Sequence, residues 1–412
     1  MTRYLVLQAA RFGDLIQTKR LLMTLLSRGE VHLLVDFSLA SLAKILYPKI
    51  SVHSFHFHGN PTEEWIRDNR QTLSELVDCS PSCLINCNYS PLTATLSRAF
   101  DCEIIGYRPS HTSRGGILRA PLLRLASKIT EKRSLACINL VDLWANLIPS
   151  PIDPNAVNPL PKSRGNVLGV VLQGREERRS LPDDVLADCI RVFAVQRKSS
   201  CIRFFGTESD RAKAYHVRRA LQGNIQHLIE DLTGKTSWEG LIENMADLDC
   251  LLTPDTGTMH LAAHLGVPVQ AFFLSSAFCH ETGPYGENHR IIQAVQSCTP
   301  CLESHPCQKN LLCLEPFRDR GFLRALSQIA RDEDPKDLPS GLLSGKSVLD
   351  GLGVRYSFSS ENEEIRLKRA SLRQFLSDFL HLSLSEKDSD PQFAAEMLLD
   401  DTEWMLPPQR YS

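Results

Sequence analysis

Short apolar runs alternate with helical stretches over most of the chain. The first run, at 4–7, precedes a pattern of leucines with helical spacing that extends to Leu26. Runs at 31–35 and 83–86 are each followed by another helical pattern, and 103–106 is the next short run. Strands in a parallel sheet are short and almost wholly apolar because helices cover the sheet. The pattern predicts an α/β domain at 1–150.

A second alternating series follows a change in composition. Five prolines lie between Pro149 and Arg164, which is typical of a linker. Apolar runs then recur with helical patterns between them, and they predict a second α/β domain at 165–330. The runs lie at 167–172, 201–205, 249–253 and 269–274. The rest, 331–412, begins with charged and Gly/Ser-rich residues and then shows helical periodicity, so we expect a partly helical C-terminal extension.

Composition narrows the classes of function. The 412 residues have a formal net charge of −2, which argues against a protein that grips nucleic acid through its phosphates. The thirteen cysteines lie mostly in apolar segments, as expected in a reducing compartment. Charged residues such as Arg11 and Lys19 interrupt the N-terminal apolar run, and no apolar stretch is long enough to span a membrane. We therefore expect a cytoplasmic protein. The sequence does not specify its oligomeric state.

The segment 249–268 predicts a strand, a tight turn and a short helix. Its apolar run ends at Pro254, small and polar residues fill 255–258, and helical spacing continues until Gly266 and Pro268. The first turn of such a helix points free N–H groups outward, where the helix dipole favours an anion such as a phosphate. The same residue types cap purely structural helices, so both interpretations stay open at this point.

Four motifs resemble those of glycosyltransferase family 9, the ADP-heptose:lipopolysaccharide heptosyltransferases. They lie at Arg11–Ile16, Asp231–Thr236, Pro254–Ala263 and Thr282–Gly286. The resemblance covers roughly residues 1–325. It implies a GT-B fold, in which two doubly wound Rossmann-like domains face each other across a cleft. The domain at 1–150 would bind the acceptor and the domain at 165–330 the nucleotide sugar.

The resemblance implies an inverting transfer of a heptose, or a related sugar, from an ADP-sugar to a hydroxyl of a lipopolysaccharide core or similar glycan. A lipid-linked acceptor would place the protein at the inner face of the inner membrane, as a peripheral protein. Asp14 matches the family's aspartate that takes the proton from the hydroxyl, and Gly13 lies beside it on the acceptor side of the cleft. The structural alternative is that Asp14 caps the helix that follows.

The resemblance also places the donor-binding residues. Arg179 would bind the diphosphate, with Arg175 and Arg178 as neighbours that could substitute for it. The other candidates are Glu208 for the ribose hydroxyls, Asp255 for the sugar hydroxyls, the N–H groups of Thr256, Gly257 and Thr258 for phosphate, and His260. Glu208 could equally stabilise a helix N-terminus, and His260 could simply pack. No cofactor is required for the chemistry that the family implies.

The chain departs from the family pattern in two loops that border the donor pocket. Residues 274–280 replace the usual Gly-Pro-Thr turn, and an Arg-Glu-Glu-Arg-Arg run follows Gly174. These changes keep open a transferase with a different nucleotide sugar or a protein acceptor. A non-catalytic scaffold that retains the fold is a second alternative, which the loss of Asp14 would have favoured, and the aspartate is present.

Four cysteines lie within sixteen residues, at Cys298, Cys301, Cys307 and Cys313. Their number suits a tetrahedral thiolate site that holds a structural zinc or iron. Reduced cysteines or disulfides are the alternative, because a single Cys-x-x-Cys is common by chance.

Overall fold

The computed structural model describes residues 2–111, 116–221, 223, 225–384 and 389–399. The chain divides into two compact units. The first unit contains Met1–Asp153 and Leu367–Ser412, and the second contains Pro154–Arg366. Each unit is built around one twisted, mostly parallel sheet.

The first unit contains a six-stranded sheet in the order β3-β2-β1-β4-β5-β6. Neighbouring strands are parallel, except that β6 runs antiparallel to β5 at the edge. Its strands are β1 (Thr2–Gln8), β2 (Gly29–Asp36), β3 (Ser51–Phe55), β4 (Cys83–Asn86), β5 (Glu103–Pro109) and β6 (Ile117–Arg119). The strand order reverses between β1 and β4, and such a reversal opens a crevice at the carboxyl ends of the strands.

Helices connect these strands. They are α1 (Phe12–Gln17), α2 (Lys19–Leu26), α3 (Ala40–Leu46), α4 (Glu63–Asp78), α5 (Pro91–Leu96), α6 (Pro121–Ile129) and α7 (Leu140–Ala145). Leu5 and Leu7 of β1 and Leu34 of β2 pack with Leu84 of β4 and Leu76 of α4 in one core cluster. A buried ion pair also joins α2 to α7, since Nη1 of Arg20 lies 2.7 Å from Oδ1 of Asp142.

The second unit contains an eight-stranded sheet in the order β14-β13-β12-β11-β10-β7-β8-β9. Its strands are β7 (Val167–Val171), β8 (Cys201–Phe205), β9 (Ile229–Asp231), β10 (Leu248–Pro254), β11 (Val269–Phe273), β12 (Arg290–Ala294), β13 (Leu342–Leu349) and β14 (Val354–Phe358). The six strands from β7 to β12 pair in parallel, and β13 and β14 continue the sheet in antiparallel fashion. The order reverses between β7 and β10, which places the switch point of this sheet there.

The helices of the second unit cover this sheet. They are α8 (Asp183–Gln196), α9 (Arg211–Ala220), α10 (Trp238–Ala246), α11 (Gly257–Leu265), α12 (Cys279–Thr282) and α13 (Arg320–Ala330). Alternate residues of β7, among them Leu168 and Val170, pack with Phe193 of α8, Val217 of α9 and Phe322 of α13 in one apolar core. This core holds the sheet on which the candidate donor loops are mounted.

The stretch after residue 331 contributes to both units. The hairpin of β13 and β14 belongs to the second sheet, whereas most of the next helix, α14 (Glu363–Phe379), belongs to the first unit with α15 (Pro391–Leu399). Two buried arginines of α14 hold the first unit: Arg369 donates to the carbonyl of Ser134 at 2.8 Å, and Arg373 to that of Cys137 at 2.7 Å. Residues 400–412 lie outside the described residues.

The expected α/β fold with two doubly wound sheets is confirmed. In the described part of the chain, no helix is both long enough and apolar enough to cross a membrane.

Candidate functional site

The loops after β7 and β10 meet at the switch point of the second sheet. The two strands are parallel neighbours, so both loops leave the same edge. Gly174, in the loop after β7, is buried, and a Cβ on it would lie 3.6 Å from both the carbonyl oxygen of Asp255 and Cγ2 of Thr256. These distances are ordinary van der Waals contacts and show that the two loops pack against each other at Gly174. The sequence candidates in both loops are thereby brought together.

Helix α11 begins in this region. Thr256 is its N-cap, and its hydroxyl accepts a hydrogen bond from the N–H of Met259 at 3.3 Å. Gly257 and Thr258 are the first two helical residues, and their N–H groups lie beyond the reach of any carbonyl of the helix itself. Gly266 ends the helix with a φ of 71°, in the left-handed region. The predicted strand, turn and helix are confirmed, and the helix presents two main-chain donors and its dipole at the edge of the sheet.

Arg179 and Asp255 form an ion pair across the two loops. Nη2 of Arg179 lies 2.5 Å from Oδ2 of Asp255, and the side chains are 17% and 6% exposed. The same carboxylate oxygen accepts a hydrogen bond from the hydroxyl of Thr282 at 2.8 Å. Nε of Arg179 is buried and has no hydrogen-bond partner among the described residues. The guanidinium is therefore held in place by protein contacts and keeps a donor that the protein does not satisfy.

His260 lies behind this pair in the first turn of α11. Its Nε2 is 3.9 Å from Oδ1 of Asp255, and the side chain is 6% exposed. Burial lowers the pKa of His260 to about 4, although the charge of Asp255 acts in the opposite direction. The imidazole is neutral at pH 7 and adds no positive charge to the site.

The arginine run after β7 reaches a further segment of the second unit. Arg178 donates hydrogen bonds to three carbonyl oxygens, those of Leu302, Glu303 and His305, at 3.2, 2.5 and 2.6 Å. The carboxylate of Glu303 lies 3.4 Å from Nη1 of Arg179. Arg175 is exposed. Among the three arginines, Arg179 is thus the one that lies against the α11 loop, as the resemblance implied, and Arg178 serves the 302–305 segment.

Glu208 lies just after β8, the strand next to β7 in the second sheet. It is exposed at the end of β8, and its carboxylate is 2.9 Å from Nη2 of Arg211 on the helix that follows. It also lies against Gly234, whose φ of 66° and missing side chain allow this approach. The N–H of Gly234 donates to the carbonyl of Gly206 at 2.9 Å. The 231–236 motif therefore shapes the loop that carries Glu208.

The 282–286 motif is supported by the β13–β14 hairpin. A Cβ on Gly283 would lie 2.2 Å from the hydroxyl oxygen of Tyr356, so glycine is required there. That hydroxyl donates to the carbonyl of Pro284 at 3.1 Å. Since Thr282 is hydrogen-bonded to Asp255, a strand far along the chain helps to position the ion pair. Sequence reasoning missed Thr282 and Tyr356 as supporting residues, and the Gly283–Pro284 pair was the signal that something packs closely there.

Asp14 lies on α1 of the first unit, just beyond the carboxyl end of β1. Its carboxylate accepts a hydrogen bond at 3.1 Å from the N–H of Arg11, the N-cap residue of this helix. Asp14 and Gly13 are both half-buried. Asp14 is the third residue of the helix, so it is not the N-cap that the structural interpretation predicted, although its carboxylate binds the N–H of the N-cap residue. It also lies at the sheet edge where ligands of this fold class bind.

Three aromatic rings stack at the same edge of the first sheet, and the sequence analysis did not identify them. Phe37, directly after β2, stacks on His56 with ring centroids 4.6 Å apart, and His56 stacks on Trp65 at 4.5 Å. Phe37 is 59% exposed. Nε2 of His58 lies 2.8 Å from the carbonyl oxygen of Ala9, in the loop that leads to Asp14. The sequence signal was the density of rings between residues 55 and 65.

The four clustered cysteines do not assemble the predicted metal site. Cys313 is buried, Cys298 and Cys301 are half-buried, and Cys307 is exposed. In the part of the chain that the structure describes, no group of three or more His, Cys, Asp or Glu residues is placed to hold a metal ion. None of the four described cysteines forms a disulfide bond. Cys301 instead contacts the hydroxyl of Ser275, at 3.4 Å.

Comparisons with known proteins agree with the motifs. The family model for glycosyltransferase family 9 (heptosyltransferase) matches residues 192–311. Lipooligosaccharide heptosyltransferase 2 of Campylobacter jejuni is 30% identical over 89 residues, which are 20% of this chain and 28% of that protein. The matched segment therefore covers little more than a quarter of the length of this curated relative.

Two solved structures share the fold over a longer stretch. The ADP-heptose LPS heptosyltransferase II of E. coli has a TM-score of 0.53 and 14% identity, and the match covers 77% of this chain and 98% of that one. The E. coli heptosyltransferase WaaC with ADP has a TM-score of 0.50 and 14% identity, covering 69% of this chain and 91% of that one. At such identity the likeness shows the fold alone. The chain therefore shares the fold of these heptosyltransferases, and its segment 192–311 resembles glycosyltransferase family 9.

Proposed function

We propose that this protein is an inverting glycosyltransferase that moves a heptose or a related sugar from a nucleoside diphosphate sugar, with ADP-heptose as the first candidate. The observation that supports the proposal is the position of Arg179 in the second unit, where its guanidinium pairs with Asp255 beside the N-terminus of α11. A positive side chain and free main-chain N–H groups at the switch point of a parallel sheet suit a diphosphate.

The donor half of the reaction follows from this arrangement. Arg179 and the N–H groups of Gly257 and Thr258 would bind the diphosphate and stabilise the negative charge that develops as it leaves. Those groups supply the positive potential that some transferases obtain from a divalent cation. We therefore propose that the transfer requires no cofactor, so that activity should survive treatment with EDTA.

The other candidate residues of the donor site would orient Arg179, bind the ribose or pack in the site. The carboxylate of Asp255 already accepts hydrogen bonds from Arg179 and Thr282, which supports a role in orienting Arg179 in addition to any contact with sugar hydroxyls. Glu208, exposed at the end of β8, is proposed to accept hydrogen bonds from the ribose. His260 would pack against Asp255 as a neutral ring.

Asp14 is proposed as the general base of the first unit. It would take the proton from the acceptor hydroxyl while that oxygen forms a bond to the anomeric carbon and the bond to the diphosphate breaks. The attack on the face opposite the leaving group inverts the configuration. Its contact with the Arg11 N–H is compatible with this role because a carboxylate has a second oxygen and further acceptor capacity.

The acceptor is proposed to be a lipopolysaccharide core or a similar glycan, in line with the names of the relatives. If it is lipid-linked, the protein would act in the cytoplasm as a peripheral protein on the inner membrane face that carries the acceptor. The Phe37 stack lies at the sheet edge of the proposed acceptor unit and offers a ring face on which a sugar could stack.

The test is binding of nucleotides followed by turnover. The thermal stability of the protein should rise with ADP and ADP-heptose, by about 2.7 kcal/mol at a ligand concentration of 100 times the dissociation constant. A shift with UDP-sugars or GDP-sugars in place of ADP-heptose would favour the alternative with a different donor. If no nucleoside diphosphate or nucleotide sugar shifts the stability, the transferase proposal fails and the scaffold alternative takes its place.

A further inference from the structure

Arg179 has two carboxylate partners that differ in environment. Asp255 is 6% exposed, lies 2.5 Å from the guanidinium and is also bonded to Thr282. Glu303 is 43% exposed, lies 3.4 Å from the opposite end of the guanidinium and comes from a separate loop. One partner is therefore built into the core of the site, and the other rests on its solvent side.

Asp255 and Glu303 differ in how readily an incoming anion can displace them from Arg179. Removing the contact to Asp255 would leave a buried, uncompensated charge, which is strongly unfavourable. The contact to Glu303 is partly exposed, and such ion pairs contribute little because water solvates the separated carboxylate. When an anion approaches Arg179, Glu303 is the partner that can leave.

The backbone of Glu303 is itself fixed. Arg178 donates hydrogen bonds to the carbonyl oxygens of Leu302, Glu303 and His305. These three contacts hold the 302–305 segment beside the guanidinium of Arg179 even when the carboxylate turns away. Glu303 therefore stays close to Arg179 and can return to it, because its effective concentration there remains high.

We propose that Glu303 is an internal counter-ion of the donor site, occupying Arg179 in the empty protein and giving way to the diphosphate of the nucleotide. The inference rests on the proposed function, since it assumes that Arg179 binds a diphosphate. A diphosphate and a glutamate carry like charges, so they cannot share the guanidinium without repulsion. On product release Glu303 returns to Arg179 and favours departure of the nucleoside diphosphate.

The experiment is calorimetric titration of ADP into the full chain, comparing wild type with Glu303→Gln. Glutamine retains the size of the side chain but removes the charge that competes with phosphate. Glu303→Gln should bind ADP about two- to fivefold more tightly, the range that a partly exposed ion pair represents. Adenosine, which has no phosphate, should bind wild type and variant equally. The difference for ADP should shrink at high salt because ions screen exposed charges.

Glu315→Gln is the matched control. Glu315 is exposed, lies twelve residues further along the chain in the 3-10 helix Leu312–Arg318, and makes no ion pair with the described residues. It should leave the affinity for ADP unchanged. Equal ADP affinity in wild type and Glu303→Gln, a weaker affinity in the variant, or the same gain in Glu315→Gln would overturn the inference.

The outcomes also separate this inference from the proposed function. If wild type binds ADP and Glu303→Gln binds it equally, the counter-ion role is wrong and the donor site stands. If ADP binds to the variant alone, both are supported, with Glu303 as a stronger competitor than expected. If neither protein binds any nucleoside diphosphate, both proposals fail.

Discussion

The guanidinium of Arg179 lies 2.5 Å from the carboxylate of Asp255, which joins the loop after β7 to the loop that begins α11. Neither residue is near the other in sequence, and each would be an ordinary loop charge by itself. Their pairing at the edge of the second sheet gives the candidate donor site its positive group in a fixed orientation.

Replacement of Arg179 by alanine should weaken the binding of ADP by about tenfold to a hundredfold, since hydrogen bonds to charged groups contribute roughly 1.5–3 kcal/mol each. Calorimetric titration measures the change. Arg175→Ala, an exposed arginine of the same loop, is the matched control and should bind as wild type does. If Arg179→Ala retains wild-type affinity, this residue does not belong to the site.

Asp14→Asn should lower the transfer rate by at least about a hundredfold, the usual contribution of a general base, while the affinity for ADP stays unchanged. The amide oxygen of asparagine can still accept the hydrogen bond from Arg11, so the helix cap is retained. Asp14→Ala removes both the base and the cap and should also lower the free energy of unfolding by about 1 kcal/mol. A wild-type transfer rate in Asp14→Asn would leave capping as the role of this residue.

The buried ion pair of Arg20 and Asp142 should be necessary for the stability of the first unit. Both side chains are at most 2% exposed, and Arg20 also donates to the carbonyl of Ile152 at 3.0 Å. Arg20→Met leaves the carboxylate of Asp142 buried without its partner and should cost about 3–5 kcal/mol. Urea denaturation followed by circular dichroism measures the loss. The double variant with Asp142→Leu should recover part of it, and an undiminished loss would contradict this account.

The buried histidine His289 should make the protein sensitive to acid. Its ring is fully buried, and burial lowers its pKa from 6.5 to about 4. Between these two values the unfolded chain binds a proton that the folded protein excludes, so stability is complete above pH 6.5 and falls as the pH decreases toward 4. The expected slope is about 1.4 kcal/mol per pH unit for this residue.

The measurement is urea denaturation of wild type and His289→Gln from pH 7 to 4.5. In His289→Gln the free energy of unfolding should fall less steeply with decreasing pH, by the contribution of this one residue, whatever the stability of the variant at pH 7. His260 contributes a second proton by the same mechanism, because burial lowers its pKa to about 4 as well. An identical pH dependence in wild type and His289→Gln would show that this ring is not the source.

Phe37→Ala should affect the acceptor reaction alone. The ring is 59% exposed, so its loss should change the free energy of unfolding by less than about 0.5 kcal/mol. If a sugar of the acceptor stacks on it, the KM for a lipid-free lipopolysaccharide core oligosaccharide should rise severalfold. The affinity for ADP serves as the internal control. An unchanged KM would exclude the stack from acceptor recognition.

Much of the fold follows from local pattern. Apolar runs such as 167–172 and 201–205 become parallel strands because helices cover both of their faces, and this periodicity is visible without any contact information. The change of composition after residue 331 suggested one separate extension. Tertiary contacts instead distribute those residues over both units, and no local signal reveals which sheet accepts a hairpin.

In the candidate site, too, some features follow from the local sequence and others depend on tertiary contacts. The turn and helix at 255–265 were predictable, since the cap Thr256 and the terminal Gly266 act within a few residues of themselves. The four cysteines illustrate the opposite case, because sequence spacing supplied the number of ligands for a metal but not the distances among their sulfur atoms. A tetrahedral site depends on distances among side chains, which spacing does not specify.

By itself, the sequence determined the two alternating α/β series, the helix N-terminus at Thr256 and the motifs that resemble glycosyltransferase family 9. Each of these is encoded over short stretches, where the backbone geometry of a few residues suffices. The tertiary structure alone decided that Asp255 and Glu303 share Arg179, that Arg178 holds the 302–305 segment and that Tyr356 supports Gly283. These contacts join residues more than seventy positions apart, and they form because folding buries one sheet and brings its loops to a single edge.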